Sequence, residues 1–467
     1  MFETVIDAIN TFLYSKLLIV ILIGAGIYFT IRTRVPQVRL FKNACKSVME
    51  KPEGEESVSS FQALMVSTAS RVGTGNIVGV SSAICIGGVG SVFWMWVIAI
   101  IGSASALAES TLAQIYKKKG EDGECYGGPA YYIEAALHSR GLAIAFCIAM
   151  ILTYAFGFNM LASYNLQSTF AGMSFYNAEV TPWIIGGVLA MVTGWCLLGG
   201  GHRIVKVTST LVPFMGIVYI LVSLLIVILN IGQLPAVFAQ IFEEAFNFKA
   251  IFAGFAGSAM MQGIRRGLYS NEAGIGSAPN AAASAVVSHP VKQGLVQMLS
   301  VFIDTLLLCT ATAMMCLASG VAPAKELQGA PWVQAALHKT MGSFGPYFIM
   351  IAMVLFAFTT LLGNCFYCDN LLTYIHKKQP GKKFMTGFRM VSALVIFLGA
   401  GMEMTLLWHI SDVLMGVMAL INIPVILMLS NTVLKALKDY ETQVKEKKNP
   451  VFYSRNIDLK QKTDYWN

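Results

Sequence analysis

Arg71-Val72-Gly73-Thr74-Gly75-Asn76 stands in the middle of a run, 61–88, that is otherwise apolar enough to cross a bilayer. Glycine costs a helix interior about 1 kcal/mol relative to alanine. Lipid offers no partner to a peptide group that leaves the helix. Two glycines among Arg71, Thr74 and Asn76 therefore predict a helix that comes apart at depth and lines a polar cavity. A second run, 250–285, carries Gly254-Phe255-Ala256-Gly257-Ser258 and, further on, Arg265-Arg266 and Ser270-Asn271-Glu272-Ala273-Gly274-Ile275-Gly276-Ser277. Its unwound backbone is expected around Gly254–Ser258, although close packing through small residues accounts for Gly254 and Gly257 equally well.

Such junctions suit a zwitterion held away from water. N–H groups at Gly73, Thr74, Gly75 and Asn76, at the positive end of the following half-helix, are expected to take a carboxylate. The Thr74 hydroxyl and Asn76 amide would add donors, while freed carbonyls around Gly254, Phe255, Gly257 and Ser258 would take an ammonium. Arg71 lies ten residues into its run, about 15 Å deep at 1.5 Å per residue. An arginine at that depth is costly and normally paired. Glu109, Glu272, Asp304, Asp369 and Asp412 are all open as partners, and a gating or counter-charge role for Arg71 with Glu272 or Asp304 stands beside a structural one. Arg265 and Arg266 read as a gate or, more simply, as a pair snorkelling to the interface.

Stepping outward, 467 residues that are 56% hydrophobic and 12% charged cannot cover their own surface in water, since soluble proteins average about 25% charged. The chain reads as an all-α polytopic membrane protein with eleven spans near 14–31, 61–88, 91–116, 142–171, 182–199, 204–230, 250–285, 291–320, 346–375, 384–402 and 405–435. Each approaches the roughly 20 residues that a bilayer demands. The first span lacks a basic flank and a cleavage site, so it is not a signal peptide. With residue 1 outside, the internal segments hold 25 Lys and Arg against four in the external ones. That places the C-terminus in the cytoplasm. The basic tail, 436–467, reads as a solvated anchor, and Pro129–Ser139 as a short amphipathic helix on the cytoplasmic membrane face. Nine cysteines inside apolar runs read as buried hydrophobes, with Cys365-x-x-Cys368 a weak redox pattern. Six scattered histidines show no metal spacing, so no zinc is expected.

The two glycine-broken runs begin at residues 61 and 250 and each opens a set of five spans, 61–230 and 250–435, behind one extra span and basic loop at 1–60. Five spans place the second set upside down relative to the first. An inverted repeat led by interrupted helices points to a secondary transporter with its site at the midplane.

The strings GTGNIVGVSSAICIGGVGSVFWMW (73–96), AESTLAQIYKKK (108–119), GGPAYYI (127–133), RRGLYSNEAGIGSAPNAAA (265–283), HPVKQGL (289–295) with FIDT (302–305), and LFAFTTLLGN (355–364) closely resemble the alanine-or-glycine:cation symporter family of bacteria and archaea. The resemblance implies a leucine-transporter-type five-plus-five fold, of the amino acid–polyamine–organocation class, with one additional N-terminal helix. It implies sodium-driven uptake of small neutral amino acids across the inner membrane. By that resemblance Thr359 and Thr360, with the backbone of Ala69 and Val72, hold the coupling sodium; read alone, a membrane threonine bonds its own i−4 carbonyl. Asn364 stands where the family more usually has Trp. The amide leaves more room and both donates and accepts, which resembles the branch associated with glutamine. In the fourth span Ala162 stands where relatives carry Gln, leaving Asn159, Asn165 or Gln167 to reach the substrate; Asn165 is the nomination.

The expected function is sodium-coupled symport of a small neutral amino acid (alanine, glycine, glutamine or serine), with proton coupling or an ion channel as the alternatives. An enzyme would need a motif such as HExxH or GxSxG, which the chain lacks, and no Walker-type nucleotide motif occurs. Amino acid, sodium and lipid are the expected partners, with no nucleic acid, nucleotide or resident cofactor.

Overall fold

The computed structural model describes residues 2–50, 57–120, 123–247, 257–459, 461 and 463–466. A helical run from Phe2 ends as α1, Ile19–Arg32. The next helix, α2, Ser60–Arg71, starts on a capping box in which Ser59 and Gln62 exchange side-chain and backbone hydrogen bonds, satisfying donors that a helix start leaves orphaned. It stops at Val72, and the chain resumes as α3, Gly75–Gly87. Then follow α4, Ser91–Ile115; α5, Pro129–Leu137; α6, Arg140–Ser168; α7, Thr181–Leu197; α8, Gly200–Leu229; and α9, Leu234–Ala245. The second half holds α10, Ala259–Asn271; α11, Pro279–Ser284; α12, Pro290–Ala318; α13, Ala330–Met341; α14, Phe344–His376; α15, Lys382–Ala400; α16, Met404–Met428; and α17, Ser430–Lys445.

Seven of these helices, α4, α6, α8, α12, α14, α15 and α16, are long and apolar enough to cross a membrane, and α1, α3 and α7 are shorter apolar helices. Large apolar side chains of α7, α8 and α15, among them Trp183, Met191, Trp195, Ile217, Leu221 and Leu394, point outward. Such a surface is stable in lipid rather than water. Inside, α2, α3 and α4 are enclosed by α10, α12 and α14, and the buried polar residues gather there.

Two peripheral elements depart from expectation. The first turns of α5 are buried, and Tyr132 donates to Asn422 of α16, so this helix is wedged into the bundle rather than laid on a membrane surface. The basic tail is folded. Phe452 N donates to Ser288 O at 2.9 Å, Lys292 Nζ to Asn449 Oδ1 at 2.8 Å, and Trp466 Nε1 to Gln114 O at 2.7 Å. Lys117 Nζ lies 3.8 Å over the Tyr465 ring, where burial pushes the ammonium down to about 8. Phe452, Ile457 and Trp466 are buried; these apolar residues among the lysines are what a charge count overlooks. All nine cysteines are free thiols.

Helix α14 approaches α2 across Gly363, where an added Cβ would lie 2.7 Å from Ser70 N. Gly363→Ala is expected to cost about 1–3 kcal/mol of stability through overpacking, read as a lower unfolding midpoint in detergent. An unchanged midpoint would mean that the two helices are not held at this distance.

Candidate functional site

The chain bends at Val72 and Gly73. In continuous helix the Gly73 N–H would bond the Ala69 carbonyl; here it donates to Asn76 Oδ1 at 2.8 Å. The Asn76 N–H turns to Gly73 O at 3.2 Å instead of Val72 O. The break thus releases the carbonyls of Ala69 and Val72. Thr360 of α14 faces this point so closely that a Cβ on Gly73 would collide with Thr360 Oγ1. That hydroxyl is buried and has no hydrogen-bond partner among the described residues. Thr359 differs: its Oγ1 bonds Leu355 O at 2.9 Å, its own i−4 carbonyl, and turns toward Met215. The helix rotates about 100° between the two residues, so only Thr360 meets the break.

Thr74 Oγ1 accepts from Asn165 Nδ2 at 3.1 Å, and Asn165 Oδ1 is left buried and unpaired. Asn76 is not a free donor. Its Nδ2 bonds Asp304 Oδ1 at 2.8 Å, and Asp304 also accepts from Ser270 Oγ at 3.0 Å and Thr305 Oγ1 at 2.7 Å. Asp304 therefore ties the first break to α10 and α12. Asn364 is fully buried, accepts from Ser70 Oγ at 2.8 Å and donates to Asn159 Oδ1 at 2.9 Å. The roomy position pictured from sequence is a polar junction between α2, α6 and α14. Gln167 bonds Tyr176 instead.

The expected break around Gly254–Ser258 lies largely outside the described residues, Gly254 and Phe255 among them. Gly257 is exposed, and Ser258 caps the start of α10 by accepting from Met261 N. The same run is divided further along. The division runs from Glu272 to Ala278, where Glu272 has φ 54°, Gly274 φ 85° and Gly276 φ 87°. Left-handed backbone is open to glycine and strained elsewhere, which explains why the break settles on this Gly-x-Gly. Its freed donors are met from α4: Glu109 accepts from Gly274 N at 3.2 Å, Gly276 N at 3.1 Å and Asn422 Nδ2 at 2.8 Å. Glu272 in turn accepts from Ser70 and Ser277.

Arg71 is 1% exposed and donates only through Nη1, to Gln297; Nε and Nη2 are unpaired among the described residues. It makes no ion-pair contact there, but its charge acts on Glu109, Glu272 and Asp304. Asp369 pairs with Arg389 at 2.8 Å. Asp412 takes both Arg266 at 2.7 Å and Arg265 at 3.4 Å. Arg266 is buried and Arg265 partly so, and both are ion-pair partners of Asp412 rather than snorkelling side chains. Ser70, Asn422 and Gln297 escaped sequence reasoning because isolated polar residues in apolar runs look like packing. Glu109, weighed only as a partner of Arg71, instead holds the second break.

A cavity of about 980 Å³ opens among the basic connections at one end of the bundle and is lined by Gln62, Lys206, Asn280, Phe366, Asn370 and Arg389, among others. On the other side of the first break Tyr269 packs over Gly75, with its ring 4.8 Å from both Phe158 and Trp408.

With this geometry in place, the comparisons are specific. The model of the sodium:alanine symporter family matches residues 1–454. The probable sodium/glutamine symporter GlnT of Bacillus subtilis is 43% identical over 97% of this chain and 93% of its own. The sodium/alanine symporter AgcS of Methanococcus maripaludis is 37% identical over 96% of this chain and 99% of its own. A crystal structure of MhsT in complex with L-phenylalanine superposes with a TM-score of 0.57 at 14% identity, covering 83% of this chain and 93% of that one. This likeness shows the fold: a leucine-transporter-type helical bundle.

Arg71 is a buried cation with no ion-pair contact among the described residues, and Arg71→Gln is expected to lower amino-acid uptake at least tenfold at equal expression. Uptake equal to wild type would remove any part for its charge.

Proposed function

The chain belongs to the sodium:alanine symporter family, and from that membership we infer how its two broken helices carry out sodium-coupled symport of an amino acid. The observation that carries this reading is the asymmetry between the breaks. The second has its exposed donors met by Glu109, whereas the first leaves Thr360 Oγ1 and Asn165 Oδ1 buried without partners beside released carbonyls. Unmet buried polar groups cost about 1–3 kcal/mol each, and a bound substrate and ion would relieve that cost.

The Ala69 and Val72 carbonyls with Thr360 Oγ1 form the oxygen set for sodium; hard cations take such ligands. The substrate carboxylate sits at the N-terminal end of α3, where the helix dipole favours an anion. It lies beside the cation, so the two charges neutralise each other out of water. The α-ammonium turns to Asn165 Oδ1. Gly73, Thr74 and Gly75 supply the close backbone approach, while Asn76 holds the break's shape and does not meet substrate.

The extra helix and loop at 1–60, two inverted five-span sets at 61–230 and 250–435, and an external N-terminus complete the proposed arrangement in the plasma membrane. On that orientation the 980 Å³ cavity is the cytoplasmic vestibule and the aromatic cover over Gly75 closes the external path. Rocking of one helix set against the other would exchange the two. A membrane potential of about 100 mV adds about 2.3 kcal/mol per sodium carried inward, a concentrating factor of about fifty.

Asn364 gives the substrate preference. Its amide is committed to Ser70 and Asn159, so Asn364 acts on preference through the volume of the side chain at this junction, which a Trp would enlarge. In proteoliposomes with an imposed sodium gradient, glutamine is expected to compete with alanine, and Asn364→Trp to narrow uptake to alanine and glycine. Unchanged competition in the mutant would remove Asn364 from selectivity. Thr360→Ala is expected to raise the half-saturating sodium concentration at least tenfold and Thr359→Ala less than twofold; equal effects would refute the assigned oxygen set. Uptake indifferent to sodium would overturn the reading as a whole.

A further inference from the structure

One turn further along α14 from Thr360, a different group of oxygens surrounds Glu272. Ser70 Oγ stands 2.8 Å from Glu272 Oε1 and also 2.8 Å from Asn364 Oδ1. A serine hydroxyl has one hydrogen. The Asn364 amide cannot turn to supply another, because its Nδ2 donates to Asn159 Oδ1 at 2.9 Å. Three oxygens in hydrogen-bonding reach thus share a single hydrogen. Ser277 Oγ spends its own on Glu272 Oε2 at 2.8 Å.

The hydroxyls of Tyr154 and Tyr367 are buried near the same carboxylate, on rings packed edge to face at 5.3 Å. The Tyr154 hydroxyl lies toward Glu272 and Ser277 and that of Tyr367 toward Ser70. No Lys or Arg nitrogen makes an ion pair with Glu272 among the described residues; the acid's backbone, at φ 54°, is held in the strained left-handed region. The other two buried acids, unlike Glu272, have nitrogen donors. Glu109 has two N–H donors and an amide, and Asp304 an amide and two hydroxyls.

A fully buried carboxylate ringed by hydroxyl and amide oxygens, with no nitrogen donor or paired base among the described residues, has the composition of a hard-cation site. We propose that Glu272, with Ser70 Oγ, Ser277 Oγ and Asn364 Oδ1, binds a second sodium ion. This rests on the symport reading for the identity of the ion, but not on the Thr360 oxygen set, which lies on a separate turn. Ser70 belongs to α2, Ser277 to the second interruption and Asn364 to α14. A cation here therefore joins the two broken helices to the helix that faces both, and its arrival or departure is felt by each.

The test is the sodium dependence of alanine uptake in proteoliposomes, with Glu272→Gln and Ser277→Ala beside wild type. Wild type is expected to give a Hill coefficient near 2. Glu272→Gln should continue uptake at a reduced rate with a coefficient near 1, and Ser277→Ala should raise half-saturating sodium at least threefold. A wild-type coefficient of 1, or an unchanged coefficient in Glu272→Gln, overturns the site. A shifted pH profile with an unchanged coefficient does so too, by showing that a proton neutralises the acid. Where Glu272→Gln does not reach the membrane, Ser277→Ala decides, and half-saturating sodium within twofold of wild type overturns the site. Wild-type uptake that ignores sodium would instead defeat the symport reading and is separable from these outcomes.

Discussion

A peptide group released from a helix inside a membrane must find a partner, and that constraint organises this molecule. Around the second interruption the protein supplies the partner itself, bringing Glu109 from α4 and Asn422 from α16 to the Gly274–Gly276 turn. Around the first it stops short, bracing Gly73 with Asn76 but leaving oxygens of Thr360 and Asn165 unmet. The Gly274–Gly276 turn is furnished as structure, and the unmet oxygens of the first break are left for ligands.

The same region concentrates charge where charge is expensive. Glu109, Glu272 and Asp304 share the influence of Arg71, which touches none of them directly. Each acid is held by a different set of donors from different helices, so displacement of any one helix changes the surroundings of more than one charge. Within a low-dielectric interior such changes are large. The buried polar cluster is thereby a mechanical linkage as well as a binding surface.

Much of this was legible in the residues. The first break was readable because Gly73, Gly75, Thr74 and Asn76 cannot all be explained by packing. The fold was readable from long shared strings. The break at Gly274 and Gly276 was not picked out, because Gly254 and Gly257 look as disruptive in the sequence. What separates them is a carboxylate on another helix, 165 residues earlier in the chain from Gly274, and local sequence carries no sign of it. Thr359 and Thr360 were indistinguishable until the phase of α14 was known. The tail was misjudged for a related reason: charge dominates its composition, while three apolar side chains decide where it goes.

That tail has a practical bearing on how the protein is handled. Trp466 is buried and its indole is fastened to Gln114, so a fluorescent reporter or affinity handle joined close to Trp466 would sit beside a fixed anchor. A flexible glycine–serine spacer gives such a fusion room to leave the surface without prying the indole from its seat.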